Sequence, residues 1–129
     1  WDVSGGRSTT GKLYADAGAE YVFSSYPNAG GVPLSFETVF DKAQDADVWL
    51  MKYNHPTDKT YQSLQEDYAP YANFKAFKEK NIYHCNTAYR PYYEDFPFHP
   101  DRVLKDLIKI FHPSLLPEYE LKYFSKLAE

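Results

Sequence analysis

The chain has 129 residues, a formal charge of −4 and 25% charged residues, so it is the size of one domain able to bury a core without metal or disulfide support. An isoelectric point near 5.5 and the absence of a dense Lys/Arg stripe exclude the electrostatic footprint of a nucleic-acid binder. Its single cysteine, Cys85, rules out an intramolecular disulfide and a multi-cysteine metal site.

No stretch approaches the ~20 apolar residues that span a bilayer, and no basic segment followed by an apolar one opens the chain. It begins at Trp1 rather than at a methionine and reads as the interior of a longer protein. Ser8, Thr9 or Thr10 can cap a first helix carrying Leu13, Tyr14 and Ala17 on one stripe, with Gly18 placed to end it in a left-handed conformation. A strand is expected at 20–23, followed by a loop over 24–34. Ser35 then suits the N-cap of a helix with Phe36, Val39, Phe40 and Ala43 at i, i+3, i+4 and i+7.

Residues 47–53 (DVWLMKY) are apolar on both faces of a period-two strand. That is the signature of a central parallel strand covered on both sides. Thr57 or Asp58 can start a helix through Glu66, and Pro70 a second one running to Lys80; together they form the crossover to a last strand at 81–85 (NIYHC). A long aromatic loop spans 86–99. In the closing helix, Pro100 sits in the first turn, Leu104, Leu107, Ile108 and Phe111 line one face, and Arg102, Lys105, Asp106 and Lys109 line the other.

The order αβαβααβ-loop-α predicts a three-layer α/β/α domain over 1–129 with a small, mainly parallel, Rossmann-like sheet. Ligands of such sheets bind beyond the carboxyl ends of the strands, where the loops 24–34, 54–57 and 86–99 would lie. The last is rich in Tyr and Phe, and Arg90 within it can engage a planar oxyanion through two parallel hydrogen bonds. His55, His84, His99 and His112 are scattered, without HExxH or paired spacing. His84 and Cys85 should point to opposite faces of a strand, which separates them as a nucleophile pair. Cys85 reads as a buried inert thiol. The glycines at Ser4–Gly6 and Ala29–Gly31 follow neither the Rossmann nor the P-loop spacing and read as turns.

The segments GKLYADAGAEYVF, VPLSFETVFDKAQDADVWL, FKAFKEKNIYHCN and YYEDFPFHPDRVLKDLIKIFHPSLLP together resemble the C-terminal lobe of the substrate-binding proteins of iron-complex ABC importers, the helical-backbone class that handles ferric siderophores, haem and cobalamin. The resemblance runs from Gly11 to about Tyr123. It implies an opposing N-terminal lobe and linking helix that lie outside this sequence, a permease of the inner membrane as partner, and a periplasmic or lipid-anchored location on the outer face of the cytoplasmic membrane. It also implies that Glu37, at the start of the Ser35-capped helix, docks on the permease. By position on the strand-end loops, the ligand contacts expected are Arg90, Tyr89, Tyr92, Tyr93 and Glu94, with Tyr53 and Asn54 from the middle loop and Arg7 from the first. Trp49 is assigned to the core. No catalytic residue, resident metal or cofactor is expected, the cargo being an iron complex. The alternatives are a small α/β enzyme using the same loop edge, which a hydrogen-bonded catalytic pair at the strand ends would favour, and a flavodoxin-like or receiver-like interaction domain, which would need an acidic or phosphate-cradling loop.

Overall fold

The computed structural model describes residues 2–129, Asp2 through its backbone alone. In chain order the elements are β1 (Asp2–Ser4), α1 (Thr9–Asp16), β2 (Gly31–Pro33), α2 (Phe36–Ala43), β3 (Trp49–Tyr53), α3 (Tyr61–Asp67), α4 (Lys75–Lys78), β4 (Ile82–Asn86), α5 (Tyr92–Asp95), α6 (Pro100–Phe111) and β5 (Ser125–Lys126). A 3-10 segment, Ala69–Asn73, links α3 to α4, so Pro70 opens two short turns rather than one helix. No helix among the described residues is long and apolar enough to cross a membrane.

The main sheet runs β3-β4-β5. β3 and β4 are parallel, with Trp49 opposite Ile82 and Tyr53 opposite Asn86, and β5 adds two residues antiparallel to β4. A separate antiparallel pair joins β1 to β2, Val3 facing Val32. The α/β class and the parallel β3–β4 pair agree with the sequence expectation, but among the described residues β3 stands at the edge of the sheet rather than at its centre, and the sheet is mixed rather than mainly parallel. The strand expected at 20–23 does not form; residues 22–25 make a turn instead, and the loop 24–34 therefore leaves no strand of the main sheet. Its edge is used differently: Gly5 and Gly6 donate their N–H groups to Gly30 O and Tyr26 O, each at 2.9 Å. A Cβ on Gly6 would lie 2.0 Å from Ser24 O, so this approach of two backbones needs glycine.

Two cores flank the sheet. One packs α1 and α6 against Cys85, with Leu13, Val103, Leu107 and Phe124. The other packs α2, α3 and α4 against Ile82, with Val39, Leu64, Phe74 and Phe77. Strand periodicity sends Ile82 to one core and Cys85 to the other, which is why both are buried. Local signals set the helix starts: Ser8 Oγ accepts from Gly11 N at 2.9 Å, Ser35 Oγ from Thr38 N at 3.2 Å, and Thr60 and Ser63 form a reciprocal capping box. Gly18 follows α1 at φ 85°, the left-handed stop expected of it.

Helix α6 departs from its predicted orientation. Val103, Asp106, Leu107 and Ile110 are its buried residues, whereas Leu104, Ile108 and Phe111 sit half-buried on its flank. The face is rotated because Asp106, expected on the solvent side, has 0% exposure. Its carboxylate accepts from the backbone N–H groups of Lys122 (3.0 Å), Tyr123 (2.8 Å) and Phe124 (3.0 Å) and from the Tyr119 hydroxyl (2.6 Å). A buried charge is tolerable when its lone pairs are filled in this way. The clamp fixes the tail that leads into β5.

Candidate functional site

β3 and β4 end side by side at Tyr53 and Asn86, and the two loops that leave them are tied together. Asn86, buried, accepts from His55 N and Ala88 N at 3.2 Å each and donates to His55 O (2.9 Å) and to an Asp58 carboxylate oxygen (3.1 Å). Tyr89 reaches across to Pro56 O through its hydroxyl. Beside this junction lies a pocket of about 240 Å³, walled by Asp58, His84 and Asn86, by Tyr89 and Arg90, and by Tyr123 and Ser125 of the clamped tail.

The Tyr53 hydroxyl accepts the Lys59 backbone N–H at 2.8 Å and shares a 2.6 Å hydrogen bond with His84 Nδ1, whose direction follows the imidazole tautomer. Among the described residues no buried side-chain nitrogen or oxygen lacks a partner, so His84 Nε2 is left accessible on the pocket side. Burial pushes the His84 pKa down, opposed by Asp58 and reinforced by Arg90, which keeps the ring neutral. Burial likewise raises the Cys85 thiol to about 11, leaving it protonated and inert on the opposite face.

Arg90 uses one of its five N–H donors on Lys122 O, at 3.2 Å from Nη1. The rest of its guanidinium is exposed. The pocket thus offers Arg90 and the Ser125 hydroxyl as donors and the His84 ring as a further polar group, with Asp58 as its one carboxylate. Such a set can orient an oxygen-rich, anionic group. Among the described residues no cluster of three or more His, Cys, Asp or Glu side chains could hold a metal ion.

The expected contacts separate. Tyr89 and Arg90 line the pocket, and Tyr53 backs it through His84. Asn54 is exposed at the start of its loop, outside the pocket lining. Tyr92 is core: at 4% exposure it packs on Phe96, Tyr123 and Phe124, because the loop folds into the short α5 and turns that ring inward. Tyr93 and Glu94 stay exposed, and Tyr93 faces a different cleft along β3. Arg7 is exposed in the β1–α1 connection, its N–H on Asn28 O, in a region that is not a strand-end loop of the main sheet. Glu37 is exposed in the first turn of α2. The sequence reading missed Asp58, His84, Asn86, Tyr123 and Ser125. His84 and Asn86 occupy alternate positions leading to the end of β4, a signal that period two could have supplied; nothing periodic marks Tyr123 or Ser125.

No family model matches the chain. It is 29% identical over 108 residues to the uncharacterised lipoprotein MJ0878 of Methanocaldococcus jannaschii, covering 83% of this chain and 24% of that protein. It is also 29% identical over 126 residues to the uncharacterised lipoprotein MJ0872 of the same organism, covering 97% of this chain and 31% of that protein. The chain thus spans about a quarter to a third of the length of these relatives. The crystal structure of the TroA-like periplasmic binding protein FepB from Veillonella parvula superposes with a TM-score of 0.72 at 14% identity, over 98% of this chain and 44% of that one. The fold is therefore that of part of a TroA-like periplasmic binding protein.

Proposed function

We propose that this chain is one lobe of an extracytoplasmic, membrane-anchored solute-binding protein, and that it acts by holding a ligand rather than by catalysis. The observation that carries the reading is the donor-rich pocket at the carboxyl ends of β3 and β4, on a fold shared with a periplasmic binding protein. The lipoprotein names of the two relatives support the anchored location. A second lobe, contributed by chain outside this sequence, closes over the pocket mouth, and the exposed Tyr89 and Arg90 form the rim it meets.

The finer reading names the cargo as an iron complex, a ferric siderophore or haem, delivered to an ABC permease. Arg90 and His84 suit the anionic oxygens of a siderophore. Glu37 is the docking carboxylate: it is exposed, it lies in the first turn of α2 where the helix dipole favours negative charge, and it lines neither cavity. The hydrogen-bonded Tyr53–His84 pair does not favour the enzyme alternative. It fixes the ring through one nitrogen, and the fold is shared with a periplasmic binding protein.

The test is to purify the longer protein containing this chain from its native source and analyse it by mass spectrometry and metal analysis. Co-purification of an iron complex that is lost in Arg90→Ala supports the reading, and a protein that carries no solute or a metal-free solute overturns the cargo. For docking, Glu37→Arg should impair transport and leave ligand affinity within about twofold, the spread of a neutral surface change; equal loss of both contradicts the role.

A further inference from the structure

The polar groups that wall the strand-end pocket divide into those the protein already uses and those it leaves open. Asn86, 3% exposed, commits both ends of its amide to the two loops. The Tyr123 hydroxyl donates to Asp95 Oδ2 at 2.9 Å, and the Tyr89 hydroxyl donates to Pro56 O. The donors of these three residues are therefore occupied.

Asp58 and Arg90 differ from them. Asp58 Oδ1 accepts from the Asn86 amide at 3.1 Å, and Arg90 Nη1 donates to Lys122 O at 3.2 Å, so each is steadied by a neutral group. Among the described residues the ion pairs are Lys59–Asp67, Lys75–Asp47 and Lys80–Glu129; the two opposite charges of the pocket are not joined to each other. Both act on the buried His84 ring, Asp58 favouring its proton and Arg90 opposing it. With that ring neutral, one cation and one anion line the same space.

Such a pair discriminates among ligands. A plain anion gains Arg90 and meets like charge at Asp58, a plain cation meets the reverse, and a neutral group answers neither; only a group with both charges answers both. At about 240 Å³ the pocket is smaller than the ~300–1,000 Å³ that enclose a drug-sized ligand, so it seats a compact head group whose two charges stand on neighbouring carbons. Taking this pocket as the ligand site, as the proposed function does, we propose that it holds a zwitterionic α-amino-carboxylate group of the solute, the carboxylate on the Arg90 guanidinium and the ammonium on the Asp58 carboxylate. Asp58 is then the residue that rejects a plain anion, whether or not the solute carries iron.

The test uses the longer protein containing this chain and three probes of one shape: L-alanine, L-lactate, which lacks the ammonium, and L-alaninamide, which lacks the carboxylate. Binding is read by saturation-transfer NMR and titration calorimetry. Alanine should bind about tenfold more tightly than either analogue, the scale of one charge-assisted contact. Asp58→Asn should bring alanine to the level of lactate and keep its advantage over the amide, and Arg90→Gln should do the opposite. Asp58→Asn keeps an acceptor for the Asn86 amide, so it leaves the junction of the two loops in place. Failure of alanine to bind, lactate bound as tightly as alanine, or an equal loss of all three probes in Asp58→Asn would overturn the proposal. Whether the pocket is the ligand site is read separately, from the co-purified solute in Arg90→Ala. Loss of that solute with lactate equal to alanine keeps the site and removes the ammonium, whereas its retention removes the site and the proposal together.

Discussion

Asp106 and Arg90 are both charged residues that reach the same tail, and they are used in opposite ways. Asp106 takes the N–H groups of residues 122–124 from inside the core, while Arg90 takes the Lys122 carbonyl from the surface through one contact. The carboxylate has its acceptor capacity filled by the protein's own backbone and by the Tyr119 hydroxyl. The guanidinium keeps most of its donors open. A charged group that is saturated internally holds the fold, and one that is unsaturated at a rim is available to a ligand.

The sharpest test of that contrast is Asp106→Ala, which strands buried N–H donors at the tail and should lower stability by about 3–5 kcal/mol, seen as a lower midpoint in urea. A loss under about 1 kcal/mol would break the contrast, since a saturated buried charge cannot be removed so gently. Arg90→Ala should weaken an anionic ligand about tenfold while shifting stability by less than about 0.5 kcal/mol; titration calorimetry beside thermal melting separates the two. If stability falls and affinity holds, Arg90 belongs with Asp106 after all.

Ser8 is a smaller member of the saturated class, its hydroxyl donating to Gly5 O at 2.6 Å and accepting from Gly11 N. Ser8→Ala should cost about 1 kcal/mol through the lost cap of α1. His84 stands between the classes, one nitrogen filled by Tyr53 and the other open. Its folded pKa lies below the ordinary 6.5, so the unfolded chain binds the proton more readily. Stability should therefore hold above about pH 6.5, fall as pH drops below it, and level off once pH passes the folded value. In His84→Gln the denaturation midpoint should lose this component of its pH dependence, and an unaltered profile would show that the ring is not held neutral.

Much of the architecture was legible because it rests on local rules. The caps at Ser8 and Ser35, the left-handed Gly18, the parallel pairing expected of 47–53 and the opposed directions of His84 and Cys85 all follow from backbone geometry and periodicity within a few residues. Tyr89 and Arg90 were legible as residues of a long strand-end loop, and the structure places both in the lining of the pocket there.

Long-range partners decided the rest. Asp106 reads as a polar-face residue until the tail at 122–124 supplies its donors, and Tyr92 reads as a loop contact until α5 turns it onto Phe124. The segment at 20–23 has strand-forming residues, yet among the described residues it joins no strand, while β1 and β2 pair with each other and are followed by the close backbone contacts of Gly5 and Gly6. Periodicity reports what each element tends to be; which buried group meets which partner across 15 or more residues of chain, as Tyr123 N meets the Asp106 carboxylate, is set only when the elements pack, because hydrogen-bond saturation is a property of the pair and not of either residue.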